Sequence, residues 1–214
     1  MTTAEARTAP LPVNARIVVV SIGTRDDGSA DELARRLHRQ GWWVDRPDAL
    51  GVPPVRLGPA LLSLSGTGRA PRRRASVPAC VHPLGSRVAG AVLDRLTART
   101  AALIGDVPHA VVSTHPLVSQ LLGRLRRSGA LDAPVISYVT DPAVHPLWWH
   151  PGVDLVLSPE PGITDQVRRL ARTTPGARTG IVETARAQDP AEVIHRAALT
   201  PTCRTPGTGV RRGR

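Results

Sequence analysis

Apolar and polar positions fall into short blocks along this 214-residue chain, and the period changes from block to block. Arg16 to Gly23 (R-I-V-V-V-S-I-G) contains an unbroken β-branched run, the signature of a strand buried on both faces. Ala30, Leu33, Ala34 and Leu37 then fall three and four apart, marking one face of a helix that Asp26 or Asp27 caps and Gly41 stops. Trp42 to Asp45 predicts a second strand, so this β–α–β order implies parallel pairing through a right-handed crossover.

No period holds from Asp48 to Pro83, where prolines are frequent, and this stretch predicts an irregular insertion. Helical spacing resumes with Leu84, Val88, Val92 and Leu96 and continues to Ile104. Ala110 to Thr114 predicts a third strand, and Val118, Leu121, Leu122 and Leu125 give the next helix its apolar face before Gly129 ends it. Val135 to Val139 and Asp154 to Leu157 predict two more strands. A helix from Glu160 to Ala171, a strand from Thr179 to Val182 and a weak helix beyond Asp189 complete the pattern. Alternating strands and helices of these lengths predict an α/β fold with a Rossmann-like parallel sheet. The expected organisation is a flexible N-terminus over 1–14, a domain over 15–186 carrying the insertion 48–83, and a weak helix with a basic, disordered tail over 187–214.

Composition alters this picture in two ways. With no Phe, one Tyr and one Met, the core must rest on Leu, Val and Ala. All 28 basic residues are arginine, a bias that matches a GC-rich genome and points to an actinobacterial source. The net charge of +11 suggests an anionic partner, but its distribution narrows the choice. Arg69, Arg72, Arg73 and Arg74 lie in one Pro/Gly-rich segment, and Arg204, Arg211, Arg212 and Arg214 lie in the tail. Basic appendages on a nearly neutral body suit an anionic membrane surface, at roughly 1 kcal/mol per basic residue near it. Solvated segments explain them equally well. With no nucleic-acid-binding motif, nucleic acid is not an expected partner. No apolar run approaches the roughly 20 residues of a membrane span, and the N-terminus lacks a secretory centre. The expected location is the cytoplasm, peripheral on the inner face of the membrane. Cys80 and Cys203 have no metal-ligand spacing.

The chemistry-bearing residues gather after predicted strands, where open α/β sheets bind ligands. Thr140 to Asp154 (T-D-P-A-V-H-P-L-W-W-H-P-G-V-D) places Asp141, His145, Trp148, Trp149 and His150 in a segment stiffened by Pro142, Pro146 and Pro151. Asp141 can orient a histidine or accept from a sugar hydroxyl, and Trp148 can offer an apolar face to a sugar or lipid. The same indoles can also plug the edge of the sheet. A histidine pair five apart in a proline-broken loop has no helical register, so no metal site is expected. Ser113, Thr114 and His115 end the third strand; His115 either faces a ligand as donor or acceptor or satisfies a backbone carbonyl while Pro116 starts the helix. After the first strand, S-I-G-T-R-D-D-G-S-A places Asp26 and Asp27 where a phosphate would need positive charge, so helix capping is the stronger reading there.

Val111 to Arg127 (V-V-S-T-H-P-L-V-S-Q-L-L-G-R-L-R-R), followed by the Thr140–Asp154 segment, resembles the N-terminal domain of the monogalactosyldiacylglycerol synthase family. The resemblance is specific from Pro108 to Pro159 and weaker from Arg16 to Gly41. It implies one half of a GT-B glycosyltransferase, a class that moves a hexose from a UDP-sugar to a lipid such as diacylglycerol without a further cofactor. On this resemblance His115 and Asp141 are catalytic-site positions, and Thr114, Thr140, His145, Trp148 and His150 line or shape the acceptor side of a cleft. Asp26 stands where the family carries a histidine proposed as the base. It is a weaker base, because an unperturbed carboxylate titrates near pH 4. The resemblance also implies a donor-binding domain that this sequence does not contain. The chain is therefore expected to be an acceptor half, inactive in isolation or completed by a separate donor-domain partner. The alternative is a non-catalytic remnant that binds lipid or a protein partner.

Overall fold

A computed structural model describes residues 11–12, 14–22, 28–49, 83–106, 108–141, 146–158, 161–173, 181–184 and 189–200. Six strands form one parallel sheet: β1 (Arg16–Val20), β2 (Trp43–Asp45), β3 (Ala110–Ser113), β4 (Val135–Tyr138), β5 (Leu155–Ser158) and β6 (Ile181–Thr184). Their spatial order is β2-β1-β3-β4-β5-β6, and every pairing is parallel. This is the Rossmann-like α/β arrangement that the alternating pattern predicts.

Helices cover both faces, so the central strands carry apolar side chains on both sides. Residues 17 to 20 of β1 are all fully buried, and they alternate between two cores. Val18 and Val20 enter a core with α2 (Pro83–Ile104), α3 (Pro116–Ser128) and α4 (Pro161–Thr173), through residues that include Ile104, Val118, Leu122 and Val167. Ile17 and Val19 enter the opposite core with α1 (Gly28–Arg39) and α5 (Pro190–Leu199), through Leu33, Leu37, Val193 and Ile194. The expected weak helix beyond Asp189 is α5. Asp189 caps it by accepting from the Ala191 N–H, and its buried residues belong to the same core as β1 and α1.

The helices end where local chemistry dictates. Gly129 closes α3 in the left-handed conformation at φ 77°, where a side chain would be strained. Gly41, at φ 90°, turns the chain from α1 into β2. Strand limits differ slightly from expectation: β1 ends at Val20, ahead of a single bridge from Ser21 to Asp48, and the last strand is Ile181–Thr184. Nearly all of the expected insertion 48–83, most of the N-terminus and the tail beyond 200 lie outside the described residues. No helix among the described residues is long and apolar enough to cross a membrane.

The chain steps from β1 to β2 in one direction and from β3 onward in the other. The switch in direction therefore lies between β1 and β3, and ligands of open α/β sheets bind outside the carboxyl ends of the strands at such a point. Ser21, Thr114 and His115 stand at this edge, and the residues after β4 lie beside it.

Candidate functional site

His115 and the 140–154 segment meet on α3. His115 is the N-cap of this helix: its backbone is extended and its Nδ1 accepts from the Leu117 N–H at 3.2 Å. Pro116 follows at the first helical position, where its missing N–H costs nothing. With Nδ1 accepting, the neutral ring carries its hydrogen on Nε2, an atom buried from solvent. Capping is the role this geometry shows for His115. Thr114 is buried at 4% exposure beside β1, its N–H donating to the Val20 carbonyl at 3.3 Å.

A chain of buried serines leads from His115 into the sheet. Ser113 Oγ donates to the His115 carbonyl at 2.8 Å. Ser119 Oγ lies 3.0 Å from Ser113 Oγ and 2.7 Å from Ser137 Oγ, and Ser137 Oγ reaches the Trp148 carbonyl at 3.3 Å. All three serines are fully buried. Nearby, Gln120 Nε2 donates to the carbonyls of Leu147 at 2.7 Å and Trp149 at 2.8 Å, fixing the short 3-10 turn Pro146–Trp148 against α3.

Trp148 does not offer its face to an acceptor, as the sequence suggested it could. It is 1% exposed within the core, and its Nε1 donates to Asp141 Oδ2 at 2.9 Å. The large apolar ring gains more from burial than from display, and the carboxylate meets its one polar group. Trp149 is buried as well, and both indoles belong to the core on the α3 side of the sheet. Asp141 is half-buried, and one face of its carboxylate is committed to Trp148. Thr140 is half-buried beside it.

His150 packs against α3, away from the strand ends. Its Nδ1 accepts from the Gly152 N–H at 3.0 Å, and its ring covers Gly123, where any side chain would collide with it. A side chain on Gly152 would in turn collide with the Gly123 carbonyl. Burial, followed by the nearby Arg127 and Arg124, pushes the His150 pKa down, so its neutral form is favoured. This is the geometry of a packing residue, and it corrects the expectation that His150 contacts an acceptor. His145 and Asp26 lie outside the described residues.

Sequence reasoning missed Tyr138, Gln120, Ser119 and Ser137, which look ordinary in a linear reading. Tyr138 ends β4 on the α1 side, where a hollow of about 230 Å³ is lined by it, Gly28, Ser29, Arg36 and Pro190. Burial holds its phenol above the usual range, so it stays a protonated donor. The signal available in the sequence was position: Tyr138 ends a strand just before Thr140 and Asp141. No cluster that could hold a metal occurs among the described residues.

Residues 74–181, half of the chain, match the family described as monogalactosyldiacylglycerol (MGDG) synthase. The matched span includes His115, Thr140, Asp141, His145, Trp148 and His150 and leaves out Asp26. No curated protein matches the chain.

Proposed function

The chain belongs to the monogalactosyldiacylglycerol synthase family, a family of glycolipid glycosyltransferases, and from that membership we propose that it supplies the acceptor wall of a hexosyl-transfer cleft. The acceptor is a lipid with a free hydroxyl, diacylglycerol or a close relative. The observation that supports this reading is the placement of His115 just after β3 and of Asp141 just after β4, beyond the carboxyl ends of two adjacent parallel strands.

In the transfer step the acceptor hydroxyl attacks the anomeric carbon of the sugar, the bond to the nucleotide diphosphate breaks, and the hydroxyl proton passes to a base. His115 caps α3 beside the acceptor, and its ring must turn for the buried Nε2 to meet an oxygen of the acceptor or sugar. The free side of the Asp141 carboxylate accepts from a hydroxyl, and the half-buried Thr140 adds to the polar lining, whereas Thr114 is buried beneath it. Asp26 takes the place of the base; a carboxylate in that role needs burial to raise its pKa. The UDP-sugar is held by a donor domain, whether continuous with this one or a separate partner. The basic segments draw the protein to an anionic membrane surface, where the acceptor resides.

Co-flotation tests the acceptor role. The protein is expected to associate more strongly with vesicles containing diacylglycerol than with vesicles of equal charge lacking it. His115→Ala should reduce that preference at least several-fold. Equal retention on both vesicle types would overturn the assignment. Transfer from UDP-hexose to diacylglycerol, measured with the chain alone and with a donor domain added, then separates an active half from a binding remnant.

A further inference from the structure

The serine chain between His115 and Trp148 carries more contacts than hydrogens. Four links run in series: His115 carbonyl to Ser113, Ser113 to Ser119, Ser119 to Ser137, and Ser137 to the Trp148 carbonyl, at 2.8, 3.0, 2.7 and 3.3 Å. The two ends are carbonyl oxygens, which only accept, and each serine has a single hydroxyl hydrogen. Three hydrogens cannot fill four links, so one link is open at any moment. Ser119 Oγ also lies 3.4 Å from the His115 carbonyl, and the His115 N–H donates to Ser113 Oγ at 3.3 Å. The first contact competes for the same three hydrogens; the second brings its own donor and leaves the shortage unchanged. All three side chains are fully buried, so solvent cannot supply the missing donor.

We propose that Ser113, Ser119 and Ser137 are positioning residues that couple the His115 cap to the Trp148–Asp141 segment through this shared shortage. When Ser137 points to Ser119, Ser119 points to Ser113 and the Trp148 carbonyl loses its hydroxyl donor. When Ser137 points to that carbonyl, the open link moves to the His115 side. Ser119 is the pivot, because it alone touches both other serines. Each arrangement has its own preferred spacing, so the two segments adjust together when one meets a ligand. The functional value of this coupling rests on the reading that His115 and Asp141 face one acceptor.

The test is the carbonyl carbon shift of Trp148 in uniformly labelled full-length protein, which moves downfield when the carbonyl gains a hydrogen bond. Ser119→Ala cuts the chain into two satisfied halves, leaving Ser137 free to donate to Trp148, and is expected to move that signal downfield. Ser113→Ala removes a competing link and is expected to move it the same way, although the substitution lies on the other side of Ser119. Adding Ser113→Ala to Ser119→Ala should produce no further shift. Ser128→Ala, on the same helix but bonded to the Leu125 carbonyl, should leave the signal in place, which a general loosening of α3 would not. If either single variant does not fold, the other still reads the same signal. An unmoved Trp148 carbonyl in the folded variants, or shifts that simply add, would overturn the coupling. The readout requires neither lipid nor sugar. A missing shift beside intact diacylglycerol preference removes only the coupling, and a present shift without that preference removes only the acceptor reading.

Discussion

His150 shows how a single residue can look like chemistry and act as structure. Its imidazole is held neutral by burial, by two nearby arginines and by the Gly152 N–H that its Nδ1 accepts. The folded-state pKa lies below the unfolded value near 6.5, so the unfolded chain binds more protons as the pH falls. Stability contributed by this site is complete above the unfolded pKa and is lost as acid is added, down to the folded pKa. Urea denaturation is therefore expected to give lower stability at pH 5.5 than at pH 7.5. His150→Asn, which keeps an acceptor for Gly152 without a titrating ring, should flatten that slope. An unchanged slope in the variant would place the acid sensitivity elsewhere. Legibility at this scale was uneven. The start of α3 could be read from Pro116, but His115 accepts from the Leu117 N–H where the sequence suggested a carbonyl partner. The partners of His150, Trp148 and Ser119 could not be read, because each is supplied by a contact between segments distant in sequence.

Among the elements, the sheet is held at its amino end by pairs that tie helix to strand. Asp154, just before β5, accepts from the Val135 N–H at 2.8 Å and from Arg126 Nε at 3.0 Å, so one carboxylate joins α3, β4 and β5. The same guanidinium donates to the Asp132 carbonyl at 2.7 Å, bracing the turn from α3 into β4. Asp154→Ala should cost about 1–3 kcal/mol, because it leaves a backbone N–H and a partly buried guanidinium without their acceptor. The check is the shift in the urea midpoint relative to wild type. The elements themselves were largely readable in advance, since the three-and-four spacing of Leu33, Leu37, Leu121 and Leu125 and the runs at 17–20 and 135–139 obey simple periods. The ends of strands were less so. The β1–β3 pairing stops at Val20 and Ser113, although Ser21 and Thr114 directly after them are also buried, and no local pattern records that.

For the molecule as a whole, α5 is the element that sequence reading undervalued. Its weight comes from what it covers. Ala191, Val193 and Ile194 share a core with residues of β1, β3, β4, β5 and α1. Arg36 of α1 pairs with Asp189 at 3.3 Å, and Trp42 Nε1 donates to His195 Nδ1 at 3.0 Å. Deleting residues 189–214 is expected to open this core, giving strong binding of a hydrophobic dye and loss of a cooperative melting transition. A truncated chain that melts sharply and leaves the dye dark would show that α1 seals this face alone.

That late seal has a consequence for how the protein is made. The helix that closes the α1 face comes from nearly the last described residues, while most of the surface it closes on is encoded before residue 160. On the ribosome, the α2–α4 side can consolidate as its strands emerge, whereas the opposite side, covered by α1 alone, stays partly bare until residues 190–199 have emerged. A half-dressed sheet of this kind is a target for chaperones and for aggregation. Its yield in a cell should therefore depend on the pace of translation more than its final stability would suggest.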